Sequence, residues 1–277
     1  MKLISTDFDG TLIEPGTEER CSPAFAAALD DHARHGGLWA INTGRSLEHI
    51  LHGLAHFHPP VAPDFLLTNE RDVFCHDGAG WVAHGTWNAT CRRRHTELFQ
   101  EAEKIFSFVK ELHAEIPHFT ILYEDDLPAG LITTTEDVME HVAAEIAQAA
   151  AHHPDFAFQR NTIYLRFCHR AYHKGSALEE LCRLENFPRA EVFAAGDNLN
   201  DLSMLDGKYA ALTACPANAI TLVKETVRAS GGYVSEKYWA DGVAEAMQHF
   251  HAKERRDRVA AHPAFIKVKE GDLRRPA

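Results

Sequence analysis

Short apolar runs alternate with amphipathic stretches at the start of the chain. Residues 3–6, 38–41 and 65–67 are compact apolar runs of strand length. Between the first two, Phe25, Ala28, Leu29 and His32 recur at helical spacing within 23–35, and Gly36-Gly37 ends that helix. Ser46 is placed to cap a second helix bearing Ile50, Leu51, Leu54 and Phe57, which Pro59-Pro60 stops. Strands alternating with helices predict βαβ units and a parallel sheet.

The pattern changes near Gly78-Ala79-Gly80. A long helix is predicted over 95–115, where Leu98, Ile105, Val109 and Leu112 share a face. Then come β-rich runs at 119–123 and 131–134, a helix at 136–151 with Val138, Val142 and Ile146 on one stripe, and β runs at 156–159 and 162–167. That order, α-β-β-α-β-β, describes an α+β layer. After Lys174 the α/β alternation returns: helix 176–184, strand 191–195, helix 201–205, strand 210–213, and helices 217–229 and 240–249. The expected organisation is an α/β, Rossmann-like core formed by 1–81 and 169–252, interrupted by an α+β domain at 82–168. A basic tail follows at 253–277, with eight Lys/Arg against four Asp/Glu.

Polar clusters fall where the predicted strands end. Asp7-Phe8-Asp9-Gly10-Thr11-Leu12 closes the first strand; side chains at i and i+2 of extended chain point the same way, so two carboxylates face one site. Asn42-Thr43-Gly44-Arg45-Ser46 closes the second, with a hydroxyl and backbone N–H groups at a helix start, and Gly196-Asp197-Asn198-Leu199-Asn200-Asp201 closes a later one. Ligands of open parallel sheets bind outside the carboxyl ends of the strands, so these clusters should converge. Asp7, Asp9, Asp197 and Asp201 cannot all ionise side by side without a cation. Hard oxygen ligands suit Mg²⁺, which pairs readily with phosphate. With Lys174 adding positive charge at a helix start, the set describes a site that handles phosphoryl groups.

These segments resemble a known family. DFDGTL, the threonine of NTGRS, the isolated Lys174 and GDNLNDLSML are similar, in order and spacing over residues 1 to about 250, to the four motifs of the haloacid dehalogenase (HAD) superfamily. The insertion resembles the C2-type cap of its Cof-like (IIB) members. The resemblance implies an Mg²⁺-dependent phosphatase acting on a small phosphorylated metabolite, sugar phosphates first, through an aspartyl-phosphate. It implies Asp7 as nucleophile and Asp9 as general acid and then base. Mg²⁺ would be held by Asp7, the Asp9 carbonyl and Asp197, with Asp201 supporting. The phosphoryl group would be bound by Thr43, Gly44, Lys174 and Asn200. A phosphomutase using the same intermediate, or a non-enzymatic sensor of phosphorylated metabolites, is the alternative. One segment departs from the family pattern: Thr68-Asn69-Glu70-Arg71-Asp72 stands where Asn-Gly-Ala is usual. Arg45, Asn69, Glu70 and Arg71 are therefore the candidate substrate contacts.

Composition narrows the partners. The chain has 277 residues, 28 Lys/Arg against 40 Asp/Glu and a formal charge of −12, which disfavours nucleic acid. No apolar run approaches the ~20 residues of a membrane span, and the N-terminus shows no secretory h-region. Six cysteines without a Cys-x-x-Cys pair fit reduced thiols. A cytoplasmic protein, monomer or homodimer, is expected. The 19 histidines form no zinc-like pattern and read as a titratable surface, with only His173, beside Lys174, a candidate for catalytic influence.

Overall fold

The computed structural model describes residues 1–17, 20–124 and 126–261. Its larger sheet has eight strands in the order β12-β11-β10-β1-β2-β3-β4-β5, from β1 (Leu3–Thr6), β2 (Leu38–Asn42), β3 (Phe65–Thr68), β4 (Asp72–His76), β5 (Trp81–Ala83), β10 (Val192–Ala195), β11 (Leu212–Cys215) and β12 (Tyr233–Val234). The six strands from β12 to β3 run parallel, and β4 and β5 extend that edge as an antiparallel hairpin. Every residue of β1, β3 and β10 is buried, because helices cover both faces. One face packs Ile4, Trp39, Ile41 and Phe193 against α1 (Pro23–Arg34) and α9 (Trp239–Ala261). The other packs Leu3, Ala40, Val192 and Ala194 against α6 (Lys174–Glu185) and α8 (Thr221–Ala229). Continuous apolar runs, rather than alternation, are thus what made these strands readable.

Between β5 and α6 the chain builds a second layer. A four-stranded antiparallel sheet, ordered β6-β7-β9-β8, comprises β6 (Phe119–Glu124), β7 (Leu127–Thr133), β8 (Phe156–Asn161) and β9 (Tyr164–His169). Its inner face buries Phe119, Ile121, Leu131, Leu165 and Phe167 against α4 (Glu103–Glu115) and α5 (Glu136–Ala149). The predicted α-β-β-α-β-β order is present.

Several elements differ from the sequence reading. The helix expected over 95–115 is two helices, α3 (Trp87–Glu101) and α4, breaking at Ala102. α3 starts early because its first turn serves the sheet: Asn88 Oδ1 accepts from the Val73 amide at 2.7 Å and its Nδ2 donates to the Val73 carbonyl at 3.0 Å. The hairpin β4–β5 and the two-residue β12 were not expected; the strands of the first are short, with most of their residues partly or fully exposed, and give no periodic signal. Strand 210–213 is shifted to Leu212–Cys215, and the helix expected from 217 starts at Thr221. The residues left out of that helix include Asn218, whose Nδ2 donates to the Gly10 carbonyl at 2.6 Å while its Oδ1 accepts from the Trp239 amide at 2.9 Å. The helix expected to end at 249 continues through the start of the basic tail to Ala261; residues 262–277 of that tail lie outside the described residues. No helix among the described residues is long and apolar enough to cross a membrane.

Candidate active site

Strand β1 is where the connections reverse direction, with β2 on one side and β10 on the other. The crevice beyond such a switch point is the expected ligand site. Asp7 follows β1 directly, its amide donating to the Ala195 carbonyl at 2.9 Å, and Asp197 follows β10. Gly10, at φ +81°, lets the chain turn back beneath them, and a Cβ there would lie 2.4 Å from the Asp197 carboxylate. Thr11 Oγ1 donates to Asp197 Oδ1 at 2.8 Å.

Lys174, at the start of α6, is fully buried between two acids: Nζ lies 2.8 Å from Asp7 Oδ1 and 2.7 Å from Asp201 Oδ1. The other Asp201 oxygen accepts the Asp197 and Asn198 amides at 2.8 and 2.9 Å. Asp201 therefore ties the β10 loop to the lysine. His173 is the N-cap of α6: its Nδ1 accepts from the Ser176 amide while Ser176 Oγ accepts the His173 amide. Helix capping, rather than proximity to Lys174, accounts for it.

The electrostatics follow from burial. Asp7 is pushed well above the usual carboxylate range by desolvation, against the pull of Lys174. Desolvation and the neighbouring Asp201 raise Asp197 to about 7. Burial would lower Lys174, but Asp201 and Asp7 outweigh it and hold the ammonium above its ordinary value. One oxygen each from Asp7, Asp197 and Asp201 lie within 4.8 Å of one another. Crowded, desolvated hard oxygens that resist ionising together fit a divalent cation. The Asp9 carboxylate stands apart, clasped by Arg45 through Nε at 2.7 Å and Nη2 at 2.5 Å, and Arg45 rests on the Phe8 ring at 4.9 Å.

Asp7, Asp9 and Asp197 open on a cavity of about 580 Å³, a size suited to a small ligand, with Lys174 and Asp201 buried behind them. Its floor includes Asp7, Asp9, Thr43, Gly44, Arg45, Asp197 and Asn200, and Glu70 lines its wall. Of the remaining predicted contacts, Asn69 and Arg71 serve the junction with the second layer instead. Asn69 Oδ1 accepts from Arg166 of β9 at 3.0 Å, and Arg71 Nη1 donates to Nδ1 of His95 at 2.9 Å. Burial and the adjacent Arg71 lower His95 to about 3, so it stays neutral and can accept that bond. Asn200 Nδ2 donates to Glu70 Oε1 at 2.8 Å.

The roof escaped the sequence reading. The β8–β9 turn, Asn161, Thr162, Ile163 and Tyr164, lines the same cavity, and Thr162 Oγ1 accepts from Asn198 Nδ2 at 3.2 Å. Its signal was the polar Arg160-Asn161 pair between two β runs, which marks a turn but not where the turn points.

Comparisons with known proteins agree with this geometry. A family profile described as haloacid dehalogenase-like hydrolase matches residues 61–247. Glucosylglycerol-phosphate synthase of Pseudomonas anguilliseptica is 28% identical over 252 residues, 90% of this chain but 30% of that protein. A 5-amino-6-(5-phospho-D-ribitylamino)uracil phosphatase of Bacillus subtilis is 36% identical over 77 residues, 28% of each chain. The matches thus span under a third of either relative's length. Among solved structures, the sucrose-phosphatase of Synechocystis sp., in complex with sucrose and phosphate, superposes with a TM-score of 0.67 at 16% identity, covering 90% of this chain and 98% of that one. BT1666 of Bacteroides thetaiotaomicron, described as a phosphatase of the haloalkanoate superfamily, gives 0.61 at 18% identity over 91% and 95%. With its profile match over most of the chain and its acids at the strand ends of the expected fold, the protein belongs to the haloacid dehalogenase-like hydrolases.

Proposed function

We propose that this protein is a phosphatase that hydrolyses a small phosphorylated metabolite, a sugar or glycosyl-polyol phosphate, through a phosphoryl-enzyme on Asp7. The observation that carries the reading is the buried Asp7–Lys174–Asp201 chain beside Asp197, opening on a cavity with Asp9 at its edge. Asp7 attacks phosphorus as the bond to the ester oxygen breaks, and Asp9 gives that oxygen its proton. In the second half Asp9 takes a proton from water, whose oxygen attacks phosphorus; phosphate leaves and Asp7 is restored. Arg45 donates one hydrogen bond to each Asp9 oxygen, which orients the carboxylate and leaves a second lone pair on each oxygen for proton transfer. The Thr43 hydroxyl, the Gly44 amide and Lys174 hold the phosphoryl oxygens. Mg²⁺ held by Asp7, Asp197 and the Asp9 carbonyl, with Asp201 behind, would supply charge neutralisation. The four-stranded layer acts as a cap, with the turn at 161–164 excluding water and meeting the leaving group. The names of the relatives support the substrate class, since one makes a phosphorylated glucosylglycerol and another is bound to sucrose and phosphate.

A panel of phosphorylated metabolites scored for phosphate release with and without Mg²⁺ tests this. Mg²⁺-dependent release from sugar or glycosyl-polyol phosphates is expected; isomerised product with little free phosphate would sink it.

Metal binding has its own signature. The folded protein keeps a proton on Asp197 up to about pH 7, whereas the unfolded chain releases it near 3.8. Across that window the folded state binds more protons, so this group's contribution to stability falls as pH rises. Mg²⁺ must displace that proton below pH 7. The rise in melting temperature that Mg²⁺ gives should therefore grow from pH 5 to pH 7.5, reaching several degrees at saturation. Scanning fluorimetry at fixed Mg²⁺ checks it; a shift independent of pH counts against the site.

A further inference from the structure

The residues after β3 fold in an unusual way for side chains of their type. Asn69 and Glu70 are consecutive non-glycine residues in the left-handed region, at φ +51° and +63°. Such strain persists only where the surroundings hold it, and it clusters at functional sites. Here the segment is pinned to the loop after β2: the Asn69 amide donates to the Arg45 carbonyl at 2.9 Å and the Glu70 amide to the Thr43 carbonyl at 3.0 Å. The result delivers a carboxylate against the phosphoryl-binding loop, close enough that a Cβ on Gly44 would sit 3.3 Å from Glu70 Oε1.

That carboxylate is more than nine-tenths buried, yet only half satisfied. Oε1 accepts from Asn200 Nδ2; Oε2 has no partner, and neither does Asn200 Oδ1, also buried. Both residues line the cavity. Two orphaned acceptors on neighbouring side chains call for donors, and a buried acceptor left unmet is costly. A phosphoryl group brings only acceptors to this position. The groups of a sugar or polyol phosphate that can donate there are hydroxyls, next to the phosphoester. Burial raises the Glu70 carboxyl above its ordinary value, while Lys174, the Asn200 hydrogen bond and Arg166 pull against that shift.

We propose that Glu70, with Asn200, reads a hydroxyl on the carbon skeleton next to the phosphoester, making the enzyme selective for hydroxylated alkyl phosphates over bare ones. The inference rests on the phosphatase reading above and adds the determinant of its substrate class. The rival role for Glu70 is structural, merely holding Asn200 in place. The variant Glu70→Gln separates the two. Its Oε1 can still accept from Asn200, but an amide donor replaces the orphaned acceptor.

The experiment compares sn-glycerol 3-phosphate with n-propyl phosphate, esters of similar primary alcohols that differ in their hydroxyls. Each is scored by kcat/KM or, if not turned over, by its inhibition constant against p-nitrophenyl phosphate. Wild type should favour the glycerol ester at least tenfold, and Glu70→Gln should cut that ratio at least fivefold with the melting temperature held. A wild type without preference, or a Glu70→Gln ratio equal to wild type, overturns the proposal. If Glu70→Gln unfolds, Glu70→Asp is read on the same ratio: the shortened carboxylate should also lose preference, and retention would overturn the proposal. Failure of the phosphatase reading looks different, because the wild type would then release no phosphate from any ester.

Discussion

Asp7→Asn is expected to lower phosphate release by a factor of ~10⁴ or more while leaving the melting temperature unchanged or raised. The activity loss follows from removing the oxygen nucleophile, for which the amide is no substitute. The stability expectation follows from burial. Asp7 is 3% exposed, and desolvation holds its carboxyl well above the ordinary range, so the charge is costly to keep. Asn keeps the shape and an oxygen for the Lys174 ammonium 2.8 Å away, without the buried charge. Kinetics with p-nitrophenyl phosphate together with a thermal melt measure both halves. Turnover near the wild-type level would remove Asp7 from the nucleophile's role. A large drop in melting temperature would mean that its place is structural.

Lys174→Met should do the reverse to stability. The ammonium is fully buried and lies 2.7–2.8 Å from carboxylates on two different strand ends. Removing one partner of a buried ion pair leaves uncompensated charge and typically costs 3–5 kcal/mol, roughly. The Asp201 link to the β10 loop amides should loosen with it, so phosphatase activity falls along with the midpoint of urea unfolding. The deficit should shrink in acid, as protonation of Asp7 removes part of the unbalanced charge. A variant of wild-type stability at neutral pH would show that the three groups do not form one ionic unit.

The contrast between Asp7 and Glu70 shows what can be read in a sequence. Asp7, Asp9, Thr43 and Asp197 sit at the ends of apolar runs, and an extended chain leaving a buried sheet has few directions to go. Their convergence follows from a shared parallel sheet, which the alternation of runs implied. Glu70 also ends a strand, but its role depends on left-handed backbone at two successive residues and on an asparagine from another loop. The clasp of Asp9 by Arg45 is similarly tertiary. So is the early start of α3, which Asn88 fixes by pairing with Val73 of β4. The roof at 161–164 lay in a readable hairpin, yet which face of the second layer meets the cavity depends on how that layer docks. Local periodicity does not carry that information.

The placement of β1 has a consequence for synthesis. Its neighbour on one side is β2, made at once; its neighbour on the other is β10, with Leu3 opposite Val192. Thr11 and Asp197 meet across the same gap, and Gly10 waits for Asn218. At about 5–20 residues per second, Asp7 spends roughly ten seconds or more on a nascent chain before Asp197 has been added. Until then Asp7 has neither Asp197 nor the β10 loop beside it. A growing chain thus lacks the complete acid cluster, and its central strand has an unpaired edge throughout that interval. Pairings this distant in sequence form slowly, so refolding should be limited by the docking of β10 onto β1 rather than by any helix.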